Sequence, residues 1–240
     1  GWFWGSSFAD FDNDGWLDLF VIGGEGKGHL FRNRGDGTFD DVTSKARIAD
    51  VKGAKKAVFV DLDHDGDLDL LLLGNGQRTV YRNNLDGTFA EATAALGLAG
   101  ASAGDAVFGD FDGDGRLDLF VGGGGTGGDA LLHNGGAQRF SDVTTSSGLS
   151  AAGGSTAIAA GDYNNDGLLD IFVMRGGWEW PMRNSLLRNN GNGTFSDVTL
   201  EAGLLSVDYS THSAAWADFD NDGWLDVFIG HENTPSQLFR

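Results

Sequence analysis

A nine-residue segment, Asp10–Asp18 (DFDNDGWLD), recurs almost letter for letter at Asp218–Asp226. Three more copies lie between them: DLDHDGDLD from Asp61, DFDGDGRLD from Asp110 and DYNNDGLLD from Asp162. Successive copies start 51, 49, 52 and 56 residues apart. A period near 50 residues confines the chain to repeat architectures, in which each unit buries its apolar face only by stacking on its neighbours.

The rest of the repeat says which architecture. A short apolar stretch precedes each acidic segment (SSFAD, KAVFVD, DAVFGD, AIAAGD, SAAWAD), and a run of strand length follows it (LDLFVIGG, LDLLLLGN, LDLFVGGG, LDIFVMRG, LDVFIGHE). After a Gly-rich gap come HLFRN, TVYRN, ALLHN, SLLRN and SQLFR, then a Gly-containing turn leading into DDVT, AEAT, SDVT and SDVT. Four short strands per repeat predict an all-β fold, a β-propeller of about five four-stranded blades. The repeats fall near 1–50, 51–100, 101–151, 152–207 and 208–240 of one domain spanning 1–240. Forty Gly against two Pro fits many tight turns, and helix is expected only as a turn or two near Glu201–Leu205. The last repeat stops after its third strand, so the fifth blade is expected to lack its outer strand and to offer an edge for association. An opening Gly in place of Met reads as a portion of a longer product.

All five segments fit D-x-[DN]-x-D-G-x-x-D. Oxygen side chains at alternate positions, a glycine where the backbone turns sharply and a closing Asp are what a hard cation needs to gather six or more oxygens. Calcium is the expected ion, about one per repeat and about five in all. The expected ligands are the side chains at positions 1, 3, 5 and 9 with the carbonyl at position 7. The first loop supplies Asp10, Asp12, Asp14, Trp16 and Asp18; the second, Asp61, Asp63, Asp65, Asp67 and Asp69; the third, Asp110, Asp112, Asp114, Arg116 and Asp118. The fourth supplies Asp162, Asn164, Asp166, Leu168 and Asp170, and the fifth Asp218, Asp220, Asp222, Trp224 and Asp226. Asn164 replaces a carboxylate, so the fourth loop is expected to bind most weakly. An EF-hand would carry a bidentate Glu at position 12 between helices, whereas here Val21, Leu72, Val121, Val173 and Ile229 stand there between strands. Ordinary Asp-rich turns also favour these residues. Four carboxylates in so short a loop, however, repel one another unless a cation intervenes. With no neighbouring general base, the ions are expected to be structural, and the chain is not expected to be an enzyme.

The loops also explain the charge. They hold 20 of the 35 acidic residues, and the net charge is −19. Five divalent ions would cancel roughly half of it. Sixteen Lys and Arg scattered among those acids form no basic face, which excludes nucleic acid as a partner. The chain has no cysteine for a disulfide framework and no apolar run of membrane-spanning length. Loops of this type in extracellular modules bind calcium at roughly 10⁻⁴ to 10⁻³ M, which points to the cell exterior or cell surface.

The composite of DFDNDGWLDLFV, then L-F-R-N-x-G-D-G-T-F-x-D-V-T, then A-G-L, resembles the FG-GAP/VCBS repeat proteins, cartilage acidic protein and ASPIC/UnbV-type members among them, over nearly the whole chain. Integrin alpha propellers are more distantly similar through the same loop. The resemblance implies a β-propeller with calcium between the first and second strands of a blade, and adhesion, scaffolding or self-assembly in place of catalysis. The expected partner, protein or glycan, meets the face opposite the calcium loops, with a homo-oligomer or filament through the fifth blade as a further expectation. On that face Arg175–Asn184 carries Trp178 and Trp180, which can stack on a sugar or anchor a protein. A carbohydrate-binding propeller is therefore the alternative, and a polysaccharide-active enzyme scaffold a lesser one. Two further motifs have local readings: Arg34–Asp36 spells RGD inside a repeated turn, and Asn192 with Thr194 forms a glycosylation sequon.

Overall fold

The computed structural model describes residues 3–24, 27–48, 53–74, 77–100, 104–123, 128–136, 139–149, 155–176, 182–204, 210–232 and 234–240. Its contacts divide the chain into two compact units, Gly1–Ala103 with Ala137–Arg139, and Gly104–Gly136 with Phe140–Arg240.

The first unit holds two antiparallel sheets whose strands neighbour one another in chain order. One runs β1 (Phe3–Ala9), β2 (Asp18–Gly23), β3 (Gly28–Asn33), β4 (Phe39–Asp41). A single helical turn, α1 (Thr43–Ala46), follows and ends on Arg47 in the left-handed region. The other sheet runs β5 (Lys56–Val60), β6 (Asp69–Gly74), β7 (Gln77–Asn83), β8 (Phe89–Glu91). In the second unit β9 (Asp105–Gly109), β10 (Asp118–Gly122), β11 (Ala130–Asn134) and β12 (Phe140–Asp142) form one sheet. β13 (Ser155–Gly161), β14 (Asp170–Arg175), β15 (Ser185–Asn189) and β16 (Phe195–Asp197) form the next. β17 (Thr211–Ala217), β18 (Asp226–His231) and β19 (Gln237–Phe239) make a three-stranded sheet. This is the all-β, blade-by-blade architecture expected of a propeller. The helical turn sits at Thr43–Ala46, whereas Thr199–Gly203, near where helix was expected, forms turns only.

Register places the acidic loops identically. Ala9 pairs with Asp18, Val60 with Asp69, Gly109 with Asp118, Gly161 with Asp170 and Ala217 with Asp226. Each loop therefore closes the hairpin of the first two strands, and its ninth residue opens the second. Up-and-down order puts the turn between third and fourth strands at the same end of each sheet.

Aromatic and aliphatic side chains weld neighbouring sheets within each unit. Phe20 meets Phe59 edge-on at 6.3 Å among buried Ile22, Leu30, Leu70 and Leu72. A side chain at Gly28 would collide with the Phe20 ring at 2.4 Å, so the ring's place depends on that glycine. In the second unit β13 packs against both β9 and β17, and all six residues of β14 are buried. Phe172 there lies edge-on to Trp216 at 6.1 Å. Full burial of a side chain such as Phe20 or Phe172 contributes roughly 1.5–3 kcal/mol.

Candidate metal loops

Each loop is folded by its own carboxylates. The position-1 Asp accepts from backbone N–H groups four and five residues on: Asp10 from Asp14 and Gly15 at 3.0 and 2.8 Å, Asp162 from Asp166 and Gly167 at 3.0 and 2.8 Å, and Asp218 from Asp222 and Gly223 at 3.0 and 2.9 Å. Asp61 and Asp110 do the same. The position-5 Asp then accepts from the position-7 N–H, as Asp14 does from Trp16 at 3.0 Å and Asp114 from Arg116 at 2.8 Å. To bring these amides inward the backbone turns left-handed twice. Position 4 is Asn13, His64, Gly113, Asn165 or Asn221, with φ between 54° and 77°, and position 6 is always Gly, with φ between 84° and 92°. Asn and Gly are the residues that tolerate this region.

The position-9 carboxylates do something else. Asp18, Asp69, Asp118, Asp170 and Asp226 are all at most 3% exposed. Asp18 Oδ1 accepts from the Asn33 N–H at 2.8 Å and Oδ2 from the Phe11 N–H at 3.1 Å. Asp118 and Asp170 repeat both bonds, to Asn134 with Phe111 and to Asn189 with Tyr163. Each is a bracket tying the start of its loop to the end of the third strand. Burial pushes the Asp69 and Asp170 carboxyls up to about 6 and raises Asp18 and Asp118, against the pull of those backbone bonds. Asp67, at position 7 of the second loop, is 3% exposed and is pushed up to about 7 by burial and by the neighbouring Asp65 carboxyl.

In four loops the donor atoms converge: Asp10, Asp12 and Asp18; Asp61, Asp63 and Asp65; Asp112, Asp114 and His133; Asp218, Asp220 and Asp222, each trio within 4.8 Å of one another. Buried oxygens Asp12 Oδ1, Asp67 Oδ1 and Asp69 Oδ2 have no hydrogen-bond partner among the described residues. An orphaned buried carboxylate oxygen is costly unless a cation meets it, so the first two loops fit a bound divalent ion. In the fourth loop the Asn164 amide donates to Asp166 Oδ2 at 2.8 Å, so a neutral group answers that carboxylate.

Sequence reasoning missed one functional position, the residue before the closing Asn of the third strand. Arg32 reaches Asp14 at 2.8 Å and also contacts Asp12, Arg82 pairs with Asp63, and Arg240 lies 3.6 Å from Asp220. In the third repeat it is His133, whose Nδ1 lies 3.2 Å from Asp112 and 3.1 Å from Asp118. The signal was present, since FRN, YRN, LHN and LRN recur, but the partners lie 15 to 21 residues upstream and only the folded sheet joins them.

Position 7 also uses its side chain. A Cβ on Gly35 would lie 2.7 Å from the Trp16 indole, one on Gly191 3.1 Å from Leu168, and one on Gly136 3.8 Å from the Arg116 guanidinium. The side chain thus covers the left-handed glycine of the next turn. Where Asp67 is short and buried, the turn carries Leu85 in place of glycine. In the RGD turn Asp36 accepts from Thr38 N and Oγ1 while Arg34 pairs with Asp40, so both charged groups are engaged internally. Trp178 and Trp180 lie outside the described residues.

A family model described as FG-GAP-like repeat matches residues 10–72, 61–121, 110–173 and 177–229. Cartilage acidic protein 1 of Xenopus tropicalis is 27% identical over 225 residues, covering 92% of this chain and 27% of that protein. The Homo sapiens protein of the same name is 26% identical over 269 aligned residues, covering 98% of this chain and 40% of that protein. The chain thus spans less than half the length of the curated relatives it matches. Among solved structures, an Agrocybe aegerita lectin, described as recognising non-reducing terminal N-acetylglucosamine, superposes with a TM-score of 0.52 at 21% identity, covering 97% of this chain and 65% of that one. At that identity the likeness is one of fold. No helix among the described residues is long and apolar enough to cross a membrane.

Proposed function

This chain belongs to the FG-GAP-like repeat family, and from that premise we propose that it is an extracellular calcium-binding propeller module for adhesion, scaffolding or assembly, with calcium in a structural role. The observation that carries this reading is the convergence of carboxylate oxygens within 4.8 Å in the hairpin loops, orphaned buried oxygens among them. Positions 1, 3 and 5 would hold the ion, with Asp18 joining Asp10 and Asp12 in the first loop. When bound, calcium supplies positive charge where like charges otherwise repel. The chain's own part is to hold the loop in its left-handed turns and to bracket it to the third strand.

The task is binding and not turnover. Asp18, Asp118 and Asp170, whose proton affinity is raised, are buried and held by backbone amides, so they are not exposed acids that a substrate reaches. Thermal melting of the protein in millimolar calcium and in excess chelator tests the structural role. A lower melting temperature in chelator is expected, and equal melting in both would overturn it.

A further inference from the structure

A cavity of about 300 Å³ lies between the acidic loop of the β9–β12 sheet and the β15–β16 turn of the next sheet. Its floor is apolar: Phe111 and Phe195, edge-on at 6.1 Å, with Leu131 beside them. Asp112, His133, Ser146, Asn192 and Thr194 also line it. Asn192 uses its Oδ1 on the Thr194 N–H and hydroxyl, so its amide nitrogen keeps its donors for a guest. Ser146 donates to the Val143 carbonyl at 2.9 Å, which leaves its oxygen to accept.

The first unit shows why this space is open. There the equivalents of His133 and Ser146 are Arg32 and Lys45. Lys45 Nζ comes within 3.5 Å of the place a Cβ on Gly87 would take, so it reaches the neighbouring turn. The matching Gly193 has nothing within 4 Å of that place. Two long cations have been exchanged for two short polar residues, and the sheets remain packed around the gap.

We propose that this cavity binds a neutral saccharide or cyclic polyol. Such a ring has a C–H face to lay on Phe111, Phe195 and Leu131, and hydroxyls to donate to Asp112 and exchange bonds with Ser146, Asn192 and His133. The cavity is the size of a small-molecule site, and a few placed polar groups over an apolar floor are the usual form of one. The acidic wall selects against phosphorylated, sulfated or uronic ligands. The site differs from the Trp178–Trp180 segment, and it specifies the recognition task proposed above, on which it rests.

Calorimetric titration of the full chain in millimolar calcium with glucose, galactose, mannose, N-acetylglucosamine and myo-inositol, and with glucuronate as the anionic control, tests it. At least one neutral probe is expected to bind saturably and glucuronate at least tenfold more weakly. The double variant His133→Arg with Ser146→Lys, which restores the first unit's side chains, is expected to lose at least tenfold in affinity; Ser146→Lys alone, which leaves the His133 contacts in place, is expected to do the same. The Ser146→Lys variant is expected to melt as the parent does, and the double variant to do so in chelator. Binding of no neutral probe, parental affinity in the Ser146→Lys variant, or loss of binding in Trp178→Ala with Trp180→Ala overturns the proposal. Calcium-dependent melting measured on the same samples separates the two readings: stabilisation by calcium without sugar binding removes the cavity site and leaves the structural calcium standing.

Discussion

The first and third acidic loops share a backbone and differ in what answers their charge. In both, the position-1 Asp folds the loop, Gly15 or Gly115 turns it, and Asp18 or Asp118 brackets it to the third strand. In the first, the Arg32 guanidinium spans Asp12 and Asp14. In the third, Arg116 turns onto Asp114 and the Asn134 carbonyl, and the His133 imidazole stands between Asp112 and Asp118. The fold therefore separates two jobs. The bracket is common and structural, while the third-strand side chain sets the local charge and the space beside it.

Removing calcium should have the largest effect. A single site at a hundredfold excess of ion over its Kd stabilises by about 2.7 kcal/mol. That corresponds to a melting shift of at least ~5 °C for a chain of this size, and several loops add to it. Differential scanning calorimetry in chelator checks this. Next, Asp18→Ala and Asp118→Ala, compared in chelator, should each cost about 3 kcal/mol, because each strands buried backbone N–H groups. Denaturant midpoints that differ by more than about 1 kcal/mol between the two would break the equivalence of the brackets.

Proton linkage gives a third expectation. Asp69 and Asp170 titrate at about 6 in the folded chain, above the ordinary Asp value of 3.8. Between those values the folded state holds more protons than the unfolded one, so stability in chelator rises as pH falls through ~6 towards ~4. In calcium, which favours the ionised carboxylates, the trend should vanish or reverse. Melting temperatures across that range in both buffers decide it.

Smaller effects should distinguish the loops. Arg32→Ala removes a charge that competes with calcium for Asp12 and Asp14, and should tighten the first loop about threefold. His133→Arg should weaken the third by a similar factor, as read by calcium titration. Equal in both sheets should be Thr43→Val and Thr144→Val, about 1 kcal/mol each. Each hydroxyl accepts a buried third-strand N–H, Leu30 at 2.9 Å and Leu131 at 3.0 Å, while donating to the preceding Asp.

Much of this was legible in the repeats. The hairpin loops and the strand order follow from residues near one another in the chain. The positive φ at Gly15 or Gly66 is implied by a glycine at a fixed place in a short loop. Arg32 was passed over because its importance lies in a contact across two strands, and His133 because a lone histidine in the chain carries no partner with it. The ninth Asp was read as one ligand among five, whereas burial and the third-strand amide make it a bracket first.

The sequence by itself determined the local chemistry: an acidic loop closed within nine residues, repeated at a constant register, with glycine where only glycine turns easily. Tertiary structure decided what depends on distant partners. Asn83 donates to the Phe11 carbonyl 72 residues away, and Asn189 to the Phe111 carbonyl 78 away, latching one sheet's third strand to the loop of the sheet before it. The size of a side chain at one repeat position, measured against the turn it faces, sets Lys45 beside the turn at Gly87 and leaves a cavity beside Ser146. Such an opening is a property of volumes brought together by packing, and no spacing along the chain encodes it.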